Sequence, residues 1–147
     1  MAKRISAKKL ISVGGGGGAS TVARSEVSGT TASIADAASA SLTISGTGKT
    51  GQLLIIETSA AAWVTVYSSQ TARTADATRG ESTDPASGSG VIAEAITTSA
   101  EALLFSPLAG FCNSEATPAS ELYLKVVNKS GAAAAITVTL TVVPTEV

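Results

Sequence analysis

From about residue 31 the chain is written in a two-residue alternation of apolar and polar side chains. Ala40, Leu42 and Ile44 face one way and Ser39, Ser41 and Thr43 the other, which predicts a half-buried strand. SGTGKTG (45–51) follows as a glycine-punctuated turn. Leu53–Thr58 predicts a short apolar strand covered on both faces, and Trp63–Ser68 a strand with Val64 and Val66 opposite Trp63, Thr65 and Tyr67. The tight connection between these two, Ser59–Ala62, suggests a hairpin. Ser69–Gly90 is polar, ends in DPASGSG, and is expected to be a loop. Val91–Thr98 and Ala102–Ser106 predict two further strands, and Pro107–Ser120 a second loop. Leu122, Leu124 and Val126 then alternate with Tyr123, Lys125 and Val127, and NKSG (128–131) is expected to close a hairpin. In the last strand Ile136, Val138, Leu140 and Val142 alternate with Thr137, Thr139 and Thr141, and Pro144 is expected to end it. No segment sustains a helical period. The pattern predicts an all-β chain: an antiparallel β-sandwich or jelly roll of about seven to eight strands over residues 31–147, of unspecified strand order.

Composition adds a reason to expect assembly. The chain has 147 residues, among them 27 Ala, 20 Ser, 19 Thr and 14 Gly. Against these stand only 10 Leu, 9 Ile, 12 Val and 2 Phe. That is just above the fraction, about 20%, at which chains fail to bury a core. Two facing sheets are then joined by a single thin apolar layer, which is marginal alone. Packing against neighbours would supply the missing burial.

The net charge of −1 conceals an uneven distribution. Lys3, Arg4, Lys8, Lys9 and Arg24 precede every acidic residue, and the remainder is acidic. The same region holds Leu10, Ile11 and an uninterrupted run of Gly14, Gly15, Gly16, Gly17 and Gly18. Five consecutive glycines have the largest backbone entropy to lose and no side chain to bury. Residues 1–30 are therefore expected to form an extended Gly-rich basic arm, with Lys3, Arg4, Lys8, Lys9, Leu10, Ile11 and Gly14–Gly18 anchoring it to a partner. The arm has no aromatic for base stacking, so an acidic protein surface suits it better than nucleic acid. Its apolar part, Leu10–Val13, is shorter than a signal peptide requires, and the longest run of large apolar residues, Leu53–Ile56, is far too short to span a bilayer.

Candidate chemistry is sparse. The chain contains no His, which removes every mechanism that needs an imidazole of its own. Its single cysteine, Cys112, forms no disulfide within the chain and reads as a small buried or half-buried thiol. GTGKT (46–50) echoes a phosphate-binding loop, but Thr43 stands where that motif needs its first glycine and a strand follows where it needs a helix. Asp76, Glu81 and Asp84 are close enough in sequence to suggest calcium, but lack the alternating ligand spacing and are interrupted by Arg79. A solvated or partner-facing loop explains them better, with Arg73, Asp76, Arg79, Glu81 and Asp84 as candidate receptor-facing residues. Trp63, Tyr67 and Tyr123 lie on strands and read as sheet-face packing before sugar platforms. Asn128-Lys129-Ser130 matches a glycosylation sequon and is better explained as a turn. No metal or cofactor site is expected, and no enzyme.

Three stretches carry a resemblance. LLIIETSAAAWVTVYSSQTARTADATR (53–79), DPASGSGVIAEAITT (84–98) and ELYLKVVNKSGAAAAITVTLTV (121–142) resemble small β-sandwich structural proteins of tailed bacteriophage virions, over roughly residues 30–147. The resemblance implies a non-enzymatic tail-fibre or baseplate component, assembled in the host cytoplasm and docked through its N-terminal arm. Its partners would be copies of itself and other virion proteins. Two other readings predict different things. A capsid decoration (cement) protein would bind at capsid symmetry axes. A carbohydrate- or receptor-binding module would use the loops over 69–90 and 107–120 as a rim, with Trp63 or a loop aromatic exposed beside it.

Overall fold

A computed structural model describes residues 23–147. The elements are β1 (Ser25–Thr30), β2 (Ser39–Ser45), β3 (Thr50–Thr58), β4 (Ala62–Tyr67), α1 (Gln70–Ala75), β5 (Val91–Ile96), β6 (Glu101–Cys112), β7 (Glu121–Asn128) and β8 (Thr137–Glu146). The strands form two four-stranded sheets, β1-β8-β3-β6 and β2-β7-β4-β5, in which every pairing is antiparallel. Each connection passes from one sheet to the other except that from β4 to β5. This is the strand order of a jelly roll, the eight-stranded double Greek key.

The alternation places the core where the sequence puts it. Val138, Leu140 and Val142 of β8 and Leu53 and Ile56 of β3 meet Ile44, Val64, Val66, Leu122, Leu124 and Val126 of the other sheet. All of these are essentially inaccessible to solvent. Their partners one position away point outward, as period two requires.

Five expectations need correcting. First, the expected arm is too long at its C-terminal end: Ser25–Thr30 pairs with Thr137–Val142 as β1. Second, neither expected hairpin exists. β3 and β4 belong to different sheets, as do β7 and β8. A short turn serves a sheet-to-sheet corner as well as a hairpin, and alternation along each strand does not tell them apart. At the β3–β4 corner the Thr97 hydroxyl, fully buried, shares a hydrogen bond with Thr58 Oγ1 (2.8 Å) and accepts one from the Ala62 N–H (2.9 Å). That side chain fastens the end of one sheet to the start of the other.

Third, the expected loop from Pro107 begins as strand: β6 runs through to Cys112. β6 is the edge of its sheet, and its pairing with β3 shifts register between Leu53 and Ile55, so residues 105–108 form a bulge around Pro107. An edge strand with a bulge is where a sheet accepts proline. Fourth, Pro144 lies within β8 and does not end it. The neighbour β1 reaches only to Val142, so from Pro144 onward β8 has a partner on one side alone. Fifth, Cys112 is exposed, because it sits opposite Thr50 on the uncovered side of the edge strand.

The sandwich closes tightly at one point. A Cβ at Gly51 would lie 2.6 Å from the Val143 carbonyl oxygen and 2.7 Å from the ring of Phe111. Both neighbours are held by strand pairing, so neither can retreat cheaply. Gly51→Ala is expected to lower stability by about 1–3 kcal/mol, the usual cost of overpacking. Gly80→Ala, where nothing lies within 4 Å of the new methyl group, should be near neutral. Urea unfolding of the two variants checks the difference.

Candidate functional site

The polar chemistry gathers on the outer face of the β2-β7-β4-β5 sheet. Register fixes its rows. Ser41, Lys125, Thr65 and Glu94 lie side by side across four strands. Ser39, Val127, Trp63 and Ile96 form the row on one side, and Thr43, Tyr123 and Tyr67 that on the other. An outer face of a sandwich usually meets water, yet Trp63, Thr65, Tyr67, Tyr123 and Lys125 are all buried.

The cover is the segment 68–90 between β4 and β5, which lies over the sheet as a strap. It opens with α1, a helix of only six residues. Ser69 caps it by accepting from the Ala72 N–H (3.0 Å), and Glu115 from the neighbouring loop accepts from the Gln70 N–H (2.6 Å). Arg73 reaches back to the β2 edge, donating to the Leu42 carbonyl (2.9 Å) and lying 5.6 Å from the centre of the Tyr123 ring.

Beyond the helix a cluster of charges fastens the strap. Arg79 donates through Nε to both Asp76 oxygens (2.8 and 2.9 Å) and through a terminal nitrogen to Glu94 (2.6 Å). Asp76 also accepts from the Tyr67 hydroxyl (2.7 Å). Glu94 also accepts from the Trp63 indole (3.2 Å) and the Thr65 hydroxyl (3.0 Å). Lys125 rises from the sheet to donate to the backbone carbonyls of Asp76 (2.9 Å) and Arg79 (3.0 Å). Both cations stack on Trp63, with Lys125 Nζ 4.5 Å and the Arg79 guanidinium 5.2 Å from its ring. Removing water from such ions is costly, and the cost is offset here because each has several close partners.

The electrostatics follow from that packing. Burial pushes the Asp76 carboxyl up, but hydrogen bonds from Arg79 and Tyr67 and the charges of Arg79 and Lys125 outweigh it and hold it below its ordinary value. Burial raises the Tyr67 phenol strongly, and the Asp76 carboxylate beside it raises it further. Burial lowers the Lys125 ammonium, partly opposed by Asp76. The hydrogen bond to Asp76 is the main reason that Arg79 is held even more firmly in its charged form.

The candidate residues therefore divide. Arg73, Asp76 and Arg79, expected to face a receptor, turn inward and bind the strap to the sheet. Glu81 is exposed and pairs with Lys129 (2.6 Å), and Asp84 is exposed. Asp76 and Glu81 thus serve different cations and do not converge with Asp84. Among the described residues no group of three His, Cys, Asp or Glu side chains is placed to hold a metal ion. Trp63, Tyr67 and Tyr123 lie beneath the strap at 4, 0 and 7% exposure, so none offers a platform to a sugar. Asn128 is fully buried, and its amide donates to the Ile34 and Ala132 carbonyls, organising the turn that carries NKSG from one sheet to the other. The anchoring residues Lys3, Arg4, Lys8, Lys9, Leu10, Ile11 and Gly14–Gly18 lie outside the described residues.

Sequence reasoning did not single out Glu94 or Lys125. The available signal was their isolation: each is a lone charge within an apolar strand interior, VIAEAI and LYLKVV. A charge in that setting needs a partner, and the register supplies Thr65 between them. Beside the strap a groove of about 300 Å³ opens between Ala37 and Ser39 on one wall and Gly80 and Glu81 on the other. Its two cations are already engaged, Lys125 by a carbonyl of the strap and Arg79 by Glu94 of the sheet. The arrangement can hold a long segment rigidly against a sheet.

Among the described residues no helix is long and apolar enough to cross a membrane. Comparison with protein-family models, with curated proteins and with solved structures gives no match.

Proposed function

We propose that the chain is a non-enzymatic structural protein of a tailed-bacteriophage virion, a tail-fibre or baseplate component that assembles through its N-terminal arm. The observation that carries this reading is the strand order, β1-β8-β3-β6 over β2-β7-β4-β5. It is the order of the jelly roll, which recurs in viral capsid proteins and in lectins. The step from strand order to virion is an analogy of fold, and fold alone assigns no function. Between the two classes, the buried aromatics favour a structural role. A sugar-binding surface displays its rings, whereas here they lie under a clamped strap. The same clamp suits a mechanical part, because it makes the longest connection between strands part of the rigid body.

Light scattering on the full chain and on a chain lacking residues 1–18 tests the reading. The full chain is expected to form a defined oligomer, and the shortened one to keep a normal melting curve but fall to a monomer. If both are stable monomers at about 100 µM, self-assembly through the arm is wrong.

A further inference from the structure

The two outer faces of the sandwich are unlike. One lies under the strap, and the outward face of β1-β8-β3-β6 has no such cover among the described residues. Glu26, Thr141, Ile55 and Leu104 form one row across it, and Ser28, Thr139, Glu57 and Ala102 the next. On β6, Leu104 is 69% and Leu108 48% exposed, the two most open large apolar side chains within any described strand. These two rows carry Glu26 and Glu57, and the four strands hold neither Lys nor Arg. An apolar edge is usually guarded by lysine. Here the bulge around Pro107 interrupts strand addition instead, which leaves the face and not the edge as the surface to be covered.

The chain itself holds a segment of matching chemistry. Of its 10 Lys and Arg, four lie before residue 23, and all 11 Asp and Glu lie after it. Lys3, Arg4, Lys8 and Lys9 are followed directly by Leu10, Ile11 and, one residue on, Val13. Basic residues beside apolar ones are what a face that carries Glu26, Glu57 and the exposed Leu104 and Leu108 would select. Reach is ample. The stretch from Val13 to Ser25 can extend about 40 Å, well past the width of its own sheet, where β1 and β6 are three strand spacings or about 14 Å apart, so it can leave its own copy for a neighbour.

We propose that residues 3–13 of one copy dock on the outward face of the β1-β8-β3-β6 sheet of a second copy. Leu10 and Ile11 pack on Leu104 and Leu108, and the lysines face Glu26 and Glu57. This rests on the assembly reading above, which makes the recipient a second copy, and it names the surface that the arm occupies.

Zero-length carbodiimide cross-linking of the full chain tests it, using an equal mixture of ¹⁴N- and ¹⁵N-labelled protein and mapping of the linked peptides. The expected result is amide links from Lys8 or Lys9 to Glu26 or Glu57, joining light peptides to heavy ones. The double variant Leu104→Ser, Leu108→Ser should lose these links at least tenfold with an unchanged melting temperature, since both side chains are exposed. Links confined to Asp36, Asp84 or Glu115 in an oligomeric sample would overturn the docking surface while leaving the assembly reading intact. Links to the proposed glutamates within single copies only would overturn the second-copy recipient. A monomeric sample by light scattering would overturn the assembly reading and, with it, the second copy.

Discussion

Leu140→Asp is expected to leave the chain unfolded at 25 °C. Leu140 is 0% exposed at the centre of β8, with Ile56 and Val27 opposite it on the flanking strands. Truncating a buried leucine to alanine costs about 3–5 kcal/mol in transfer and cavity terms. A carboxylate at this point adds a charge, and the core around it is made of Leu, Ile, Val, Ala and Phe. That adds several kcal/mol more, even if the group takes up a proton. The sum reaches the whole stability of an ordinary domain, about 5–15 kcal/mol. Thr139→Asn, one residue away on the outward face, should change stability by less than about 1 kcal/mol. Circular dichroism melts of both variants decide the matter. A cooperative melt of Leu140→Asp near the wild-type temperature would mean that β8 is turned the other way.

That contrast rests on what alternation reveals and what it hides. Period two fixes which side chains face inward, so Leu42, Ile44, Leu122, Leu124, Val138 and Leu140 were all legible as core. It carries no information about which strand lies beside which. Ser59–Ala61 and Asn128–Gly131 have the turn residues of hairpins, and both serve as corners between sheets. Only long-range partners such as Thr97, which holds Thr58 and the Ala62 N–H, make them so. β1 was hidden for a related reason. SEVSGT has one large apolar residue, Val27, and follows a glycine-rich stretch, so nothing local separates it from the arm. Gly29 of the same strand faces Leu42 and Ile44, and its missing side chain is what lets β1 approach the other sheet there. α1 was missed because six residues cannot display an amphipathic period, and Ser69 as a cap was its one local mark. The clamp was half legible. Asp76 and Arg79 stood out in the loop, but as residues facing out. Their inward turn depends on Glu94 and Lys125, which come into one row, with Thr65 between them, only once three strands are in register.

Asp76→Asn is expected to free the strap while the sandwich stays folded. The Asp76 and Arg79 side chains are only 11 and 7% exposed, so the pair is nearly dry. Removing one member of a buried pair costs about 3–5 kcal/mol, because the other is left charged and unmatched. Arg79 keeps Glu94, which places the loss toward the lower figure. Loss of that size exceeds what holds most surface loops, so the strap should open locally before the sheets separate. Trp63 reports the event: it is the chain's single tryptophan and lies beneath Arg79 and Lys125. Its emission should shift to the red in the variant, and trypsin should cut after Arg79, which the wild type protects. Acid should do the same to the wild type. An unfolded aspartate titrates near pH 3.9, whereas Asp76 in the folded chain is held lower. Between those two values the released state binds a proton that the clamped state does not. The stability that Asp76 lends is therefore complete above the unfolded value and is lost as the pH falls through the folded one. Wild-type Trp63 emission should accordingly move toward that of the variant below about pH 4, and the variant should lack that step. If Asp76→Asn instead matches the wild type in emission, protease resistance and acid profile, the strap is held by the packing of α1 and the charge cluster is incidental to it.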